Sequence, residues 1–353
     1  VEGEALDDVT RPRSETARSL PPPREIEIVT RRRPEYQHRQ TVDAKEVVPL
    51  LNPHLLSLIE IPDRVVRVTV DPDELLIHPK RFDIMAKFIY ARHLEMGVGS
   101  EWAAHLYAEH IRAFNDFSEG DRTGKNGREA FFDSFHDVLN SIRSSGFDEK
   151  RSLIPITPDG RVIDGAHRVA ACALYHHPVS CVQLDANPCY DHRFFASRGL
   201  EEKWLDAIAI EHCHRNRQTH LAIVYPSANG RDSEIEERLE EHGNIVYRKD
   251  ILLDDRGPVN LIRHIYRDEP WLGSCDDQFA GAAEKARCCF QSRRPTRVFV
   301  FEVEDLDRAR EVKDEIRTLF GIGNHSIHIN DTRQEKSRLA GILFNQNGVH
   351  FLN

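Results

Sequence analysis

The sequence lacks any long apolar run, and none of its 353 residues lies in a stretch approaching the ~18 apolar residues that a membrane-spanning helix needs. It also lacks an excess of positive charge, because 58 acidic residues outnumber 48 lysines and arginines and give a net charge of −10. A surface that binds nucleic acid needs clustered positive charge, so this balance argues against a nucleic-acid partner. Residues 1–4 show neither the basic nor the apolar region of a secretory signal, which predicts a cytoplasmic location with no membrane partner.

Closely spaced cysteine pairs are missing as well. The chain has seven cysteines, an odd number with no Cys-x-x-Cys pair, which predicts reduced thiols rather than a disulfide framework. Cys288 and Cys289 are adjacent and poorly placed to hold one metal ion together, which argues against structural zinc.

The composition, 40% hydrophobic and 30% charged, is typical of a globular protein. Single cores stop growing near ~250–300 residues, so a chain of 353 residues predicts two domains. We expect a flexible tail over residues 1–38, which holds a proline triplet and an arginine triplet. A first domain is predicted over 39–217 and a second over 218–353, with the boundary in the polar run 215–218.

Apolar periodicity predicts an α/β fold, with an α+β first half and strands alternating with helices in the second. In the first half, amphipathic patterns predict helices over 81–96, 101–114, 128–143 and 200–214, and strands over 65–70, 153–157 and 179–184. In the second half, they predict strands over 221–225, 244–247, 298–303 and 326–329, and helices over 232–242, 259–266, 279–290, 307–320 and 332–345.

The segment Asp164-Gly165-Ala166-His167-Arg168 is the most informative part of the chain. It follows a predicted strand and a Pro-Asp-Gly turn, and it precedes a short helix predicted over 169–175. Glycine lets the backbone approach a ligand closely, and a helix N-terminus presents unpaired N–H groups with partial positive charge. His167 and Arg168 add donors suited to phosphate, which predicts a phosphate site. A turn with local capping and salt bridges is the structural alternative.

This segment, with small residues after it and a Pro-Ile strand before it, resembles the ParB/sulfiredoxin superfamily over residues 131–184. Members include DNA-partition proteins that bind CTP, sulfinic-acid reductases that use ATP, and kinases of free serine. The reductases have cysteine where this chain has Ala166, and the partition proteins tend to have Gly-Glu-Arg-Arg from the position of Gly165. The resemblance therefore favours the kinase branch, with a ParB/sulfiredoxin-like first domain.

The resemblance implies a kinase that uses ATP or ADP with Mg²⁺ and moves phosphate to a hydroxyl of a small metabolite, such as an amino acid or a sugar. Gly165, Ala166 and Arg168 would bind the nucleotide phosphates, and His167 would donate to phosphate and take part in catalysis. Asp164 would bind Mg²⁺ or accept the proton of the substrate hydroxyl.

A polar loop over residues 120–127 precedes the helix predicted at 128–143. The serine kinases resemble one another in using an upstream glutamate, which Glu119 or Glu129 could match, and we take Glu119 as the catalytic candidate. Lys125 is a candidate for binding the nucleotide and neutralising developing charge, and Asp121 lies in the same loop. A solvated charged loop is the alternative for each of them.

A second candidate region runs from Gly323 to Asp331, where apolar Ile327 and Ile329 alternate with polar residues. Because ligand clefts of α/β sheets lie at the carboxyl ends of strands, His325, His328 and Asp331 are secondary site candidates. Asp331 and Thr332 could instead only cap the last helix, with Glu335 nearby. Lys313 and Arg317 share one helix face in the same half, where surface ion pairing is the simpler interpretation.

Two other functions stay open. A nucleotide-switched, ParB-like protein would hold DNA or a protein partner, although the acidic charge counts against DNA. Alternatively, the C-terminal half would be a transferase with its own active site, and the first half would bind nucleotide as a sensor.

Overall fold

The computed structural model describes residues 34–98, 101–119 and 125–353, and within them strands alternate with helices, which confirms the predicted α/β class. The strands are β1 (Tyr36–Asp43), β2 (Arg64–Val70), β3 (Ile154–Ile156), β4 (Val179–Gln183), β5 (Thr219–Val224), β6 (Asn244–Ile251), β7 (Thr296–Glu302) and β8 (Ile327–Ile329). The helices are α1 (Ala44–Val47), α2 (Pro53–Leu56), α3 (Pro72–Leu76), α4 (Phe82–Glu95), α5 (Glu101–Asn115), α6 (Arg128–Ser145), α7 (Ala166–Tyr175), α8 (His192–Ser197), α9 (Glu202–Arg215), α10 (Asp232–His242), α11 (Gly257–Ile265), α12 (Ala280–Cys289), α13 (Leu306–Phe320), α14 (Arg333–Leu343) and α15 (Gln346–Leu352).

The first sheet has the strand order β1-β2-β4-β3. Its first two neighbouring pairs are antiparallel, whereas β3 and β4 are parallel. Parallel strands need a crossover connection, and α7 supplies it. The helix begins after the connection 157–165 that follows β3, and it packs against α4 and α6. This β3-α7-β4 unit fixes the position of the Asp-Gly-Ala-His-Arg segment.

The second sheet has the order β6-β7-β5-β8, and every neighbouring pair in it is antiparallel. With α10 between β5 and β6, and α13 between β7 and β8, the chain follows the ferredoxin-like βαββαβ arrangement. Helices α11 and α12 are inserted between β6 and β7. Because neighbouring strands run in opposite directions, the carboxyl ends of β7 and β8 lie at one edge of the sheet and those of β5 and β6 at the other. A cavity of about 360 Å³ at the first edge is lined by residues that follow β7 and β8, among them Asp331 but neither His325 nor His328. The expectation of a ligand cleft near these three residues stays a prediction.

One apolar core runs through both halves, and its buried members include Val68 and Phe82 in the first and Tyr247 and Leu339 in the second. Helix α9 packs against α14. Lys336 on α14 is 1% exposed, and its ammonium donates to the carbonyl oxygens of Asn216 at 2.7 Å and Thr219 at 2.9 Å. The division at 217/218 stays a prediction, and the core crosses it.

The predicted end of the flexible tail at residue 38 was wrong, because residues 36–38 belong to β1. This strand lies at the sheet edge with most of its side chains exposed, so it lacks the apolar alternation by which strands are predicted. The proline and arginine triplets lie outside the described residues.

Five short helices were also missed, namely α1, α2, α3, α8 and α15. The aromatic connection contains α8, whose N-cap Asp191 accepts a hydrogen bond from the Phe194 N–H at 2.9 Å. The helix predicted over 332–345 is α14, and α15 follows beyond the predicted range, capped by Asn345. All seven cysteines are unpaired, as predicted. No described helix combines the length and the apolar character needed to cross a membrane.

Candidate functional site

The start of α7 is shaped by Gly165, which caps the helix with φ = 91°. A Cβ at this position would lie 2.6 Å from Ile154 Cδ1 and 2.7 Å from Arg168 Nη2. A larger residue would therefore suffer both backbone strain and a clash. The glycine lets Ala166 begin the helix directly against β3, so the first N–H groups of α7 lie beside the Arg168 side chain.

Asp164 and Arg168 are brought together across the first turn. Arg168 Nη2 lies 3.4 Å from Asp164 Oδ2, and Nη1 lies 3.4 Å from the Leu153 carbonyl oxygen. Burial lowers the pKa of Arg168, but a guanidinium remains charged at any physiological pH. Both contacts are near the outer limit of a hydrogen bond, so the guanidinium can still donate to a further acceptor.

His167 faces the helices rather than open solvent. Its Nε2 lies 2.8 Å from the Tyr107 hydroxyl oxygen, and its ring packs edge-on against Phe135. Burial, followed by the positive charges of Lys87 and Lys125, holds the pKa of His167 well below its usual range. The imidazole is therefore neutral at neutral pH. If the Tyr107 hydroxyl donates to Nε2, the ring hydrogen is on Nδ1.

A buried charged cluster, the Asp83 cluster, adjoins this histidine and consists of Arg81, Asp83, Lys87 and His110. Asp83 accepts from Arg81 Nε at 2.8 Å and from Lys87 Nζ at 3.0 Å. Burial opposes the ionisation of Asp83, but Arg81 and Lys87 outweigh it and hold the pKa of Asp83 far below its usual value. Lys87 Nζ also lies 3.4 Å from His110 Nε2.

The Asp83 cluster carries surplus positive charge, because two cations share one carboxylate. The pKa of His110 is lowered well below its usual range by burial first and by Lys87 second, so this ring stays neutral. The surplus acts on His167 as well. The region beside the start of α7 therefore favours an anion.

Glu119 and Lys125 pair with each other, with Lys125 Nζ 2.6 Å from Glu119 Oε2. The backbone holds them together, because Glu119 N–H donates to the Lys125 carbonyl oxygen at 3.2 Å. Lys125 contributes to the lowered pKa of His167, so this pair belongs to the same region. Asp121 lies outside the described residues. Glu129 is exposed in the first turn of α6.

The chemistry of the donors limits the metal that the site could hold. Among residues 34–98, 101–119 and 125–353, no group of three or more histidines, cysteines or carboxylates is arranged to hold a metal ion. Asp164 offers a single carboxylate. Because Mg²⁺ that accompanies phosphates needs only one or two protein carboxylates, Asp164 fits a nucleotide-borne Mg²⁺ and does not fit an all-protein site.

The secondary candidates are held by internal partners. His328 is buried, with Nε2 2.7 Å from Glu335 Oε1 and its ring edge-on to Tyr266. The backbone N–H of Asp331 donates to Glu335 Oε2 at 3.0 Å. The Thr332 side chain accepts from the Glu335 N–H at 3.1 Å and caps α14, so the capping interpretation holds for Thr332.

His325 is not brought together with His328, since its Nδ1 lies 3.4 Å from Lys285 Nζ instead. Lys313 is only 9% exposed and lies 3.7 Å from Asp331 Oδ2. Lys313 therefore forms its ion pair from a buried position rather than at the surface, whereas Arg317 makes the expected surface pair with Asp314 at 3.4 Å. Comparisons with family models, with curated proteins and with solved structures found no match to this chain.

Proposed function

We propose that this protein is a nucleotide-dependent phosphotransferase whose phosphate site lies at the start of α7. The observation that carries the proposal is the convergence of positive charge there. Arg168 stands in the first turn of α7, and Lys87 of the Asp83 cluster and Lys125 both act electrostatically on the neighbouring His167. Asp164 and Glu119, which pair with Arg168 and Lys125, offset only part of this positive charge. Helix N-termini attract phosphate through their free N–H groups and partial positive charge, and arginine binds phosphate through its planar fork.

Each residue of the segment has a separate role in this proposal. The N–H groups of Gly165 and Ala166 and the Arg168 guanidinium bind the phosphates of ATP or ADP. Asp164 would hold Mg²⁺, which when bound neutralises negative charge on those phosphates. His167 stays neutral beside Tyr107, so it can donate one hydrogen bond without adding another positive charge.

In the transfer step, the hydroxyl oxygen of the acceptor forms a bond to the terminal phosphorus, and the bond to the bridging oxygen breaks. The nucleotide leaves with one phosphate fewer, and the electron pair of the broken bond stays on its oxygen. Glu119 accepts the hydroxyl proton as Lys125 turns from this carboxylate to the transferring phosphate. The resemblance to the serine kinases suggests a small hydroxylated metabolite as the acceptor.

The first test is calorimetric binding of ATP, ADP and CTP, with and without Mg²⁺, to the wild type and Arg168→Ala. Loss of a charged hydrogen-bond donor is expected to weaken nucleotide binding about tenfold to a hundredfold. Arg143→Ala is the matched control, because that arginine is 62% exposed on α6 and pairs with Glu95. Equal binding to wild type and Arg168→Ala, or no nucleotide binding at all, would contradict the proposal.

Glu119→Gln separates binding from transfer. It should keep nucleotide affinity within about threefold and lower the transfer rate at least about a hundredfold, because the proton acceptor is lost. Transfer is followed with γ-labelled ATP and a panel of free hydroxyl amino acids and sugars. Tight CTP binding with no transfer from any nucleotide would favour the nucleotide-switched alternative instead.

A further inference from the structure

A basic cavity of about 540 Å³ lies in the second half, between α11, the 3₁₀ turn Pro270–Leu272 and α14. Three arginines line it, Arg263, Arg267 and Arg338, against one acidic residue, Glu269. None of the lining residues belongs to the start of α7 or to the Asp83 cluster. Its volume lies within the ~300–1,000 Å³ that small-molecule sites occupy.

Within the described parts of the chain, two of the arginines have no carboxylate at ion-pairing distance. Arg263 donates to the side-chain oxygen of Asn260 at 3.3 Å, and its guanidinium lies 3.7 Å from the ring centre of Phe279. Arg338 donates to the carbonyl oxygen of His264. Arg267 differs, because its Nε lies 3.2 Å from Asp268. Glu335 and Asp268 act on Arg338 at longer range, so what distinguishes Arg263 and Arg338 is the lack of a carboxylate in direct contact with either guanidinium.

The other groups at the cavity add no positive charge to that of the arginines. Burial first, and then Arg338, Arg263 and Arg267, lower the pKa of His264, so this ring adds no charge of its own at neutral pH. The wall also contains polar Asn260 and an apolar part that includes Leu272, Ile342 and Phe351, of which Phe351 is 89% exposed. An exposed phenylalanine beside unpaired arginines suits a ligand that is part anion and part hydrocarbon.

We propose that this cavity binds an organic anion, with its phosphate or carboxylate group on Arg263 and Arg338 and its apolar ring or chain against Leu272 and Phe351. Arginine forks match both kinds of anionic group in two-point contact. Arg263 is already stacked on Phe279 and thus held in place, so less side-chain entropy is lost when it binds.

The test uses phenyl phosphate and benzoate as probes, with benzyl alcohol as the neutral analogue, in calorimetric titrations at constant ionic strength. At least one of the two anions should bind the wild type, and its identity tells phosphate from carboxylate. Arg263→Gln and Arg338→Gln should each weaken that binding about tenfold or more, since each removes a charged donor. Arg310→Gln is the control, because this 55% exposed arginine pairs with Asp307 on α13.

Two further measurements keep this site distinct from the start of α7. The anion should still bind Arg168→Ala, and ATP should bind Arg263→Gln and Arg338→Gln as it binds the wild type, which also shows that both variants are folded. Binding of neither anion to the wild type would overturn the proposal. Unchanged affinity in both cavity variants, or equal binding of benzyl alcohol, would overturn it as well.

Discussion

His167 at the start of α7 and His328 on β8 lie in polar regions with different charge balance. His167 contacts the neutral hydroxyl of Tyr107, and the nearby charge is that of Lys87 and Lys125. His328 contacts a carboxylate, Glu335, whose charge opposes the effect of burial on its pKa. The first region has positive charge left over, whereas the second satisfies its histidine internally.

This difference shows that a polar residue indicates a ligand site through the charge of its neighbours more than through its own type. Both histidines follow or lie on a strand, and both were candidates by sequence. Only the region around His167 has cations that exceed the carboxylates within contact distance. The region around His328 resembles a capped helix start with a buried hydrogen bond.

The largest loss of stability is expected from a substitution that removes the carboxylate of the Asp83 cluster. Asp83→Asn leaves Arg81 and Lys87 buried without a carboxylate, so the free energy of unfolding should fall by about 3–5 kcal/mol. Urea unfolding at pH 7.5 measures it. Glu109→Gln is the control, because this carboxylate forms a partly exposed pair with Arg112 and should cost under about 1 kcal/mol. Similar losses in the two variants would mean that the Asp83 cluster does not depend on its carboxylate.

A smaller loss of stability is expected from a substitution that tests the close packing at the start of α7. Gly165→Ala imposes a positive φ on alanine and places its Cβ against Ile154 and Arg168, at an expected cost of about 1–3 kcal/mol. Gly199→Ala is the matched control, because its φ is 77° but no atom lies within 4 Å of the added Cβ. The difference between the two variants isolates the clash. Nucleotide binding should weaken in Gly165→Ala alone, and equal behaviour of both variants would contradict the close fit.

The smallest effect concerns the second region and its dependence on pH. Glu335→Gln should lower the free energy of unfolding by about 1 kcal/mol at pH 7.5, because one hydrogen bond to a charged acceptor is weakened. Burial lowers the pKa of His328 below its unfolded value of about 6.5, so its contribution to stability is lost as pH falls below that value. Glu335 opposes this shift, and without it the pKa of His328 falls further.

The difference between wild type and Glu335→Gln should therefore grow as pH falls from about 6.5 toward 5, since only the wild type can protonate His328 beside a carboxylate. Urea unfolding at four pH values between 7.5 and 5 measures the difference. A constant difference would show that His328 does not titrate in this range. Replacing the exposed His350 by asparagine provides the control, and should leave the pH profile unchanged.

Regular periodicity made most of the fold predictable. The helix predicted over 232–242 is α10, and the helix predicted over 128–143 is α6, which buries Phe131, Phe135 and Ile142. Edge strand β1 was not predictable from alternation because its side chains are exposed on both faces. Turn chemistry could have revealed α8, since Asp191 stands three residues before the N–H that it caps.

The candidate site was predictable only in part, because the sequence marks the start of α7 but not its surroundings. From the sequence alone, Asp83 and Lys87 would be interpreted as a solvent-exposed i, i+4 ion pair on a helix. The sequence does carry one signal, since the apolar residues of α4 are spread all around the helix. The structure agrees, because ten consecutive residues from Phe82 to Ala91 are buried. A helix that is apolar all round lies in a core, so charged residues within it must be paired there. The pairing of these charges with residues on other helices depends on the tertiary structure, which the sequence pattern of α4 does not give.

The contacts of Lys336 have a consequence for how the chain could be divided. Its ammonium joins α14 to the segment at Asn216 and Thr219, at the point where a simple two-part description would cut the protein. Severing the backbone there would leave two pieces that each expose part of one shared apolar surface. Such pieces would behave as a split protein, poorly folded when apart and recovering their structure only on reassociation.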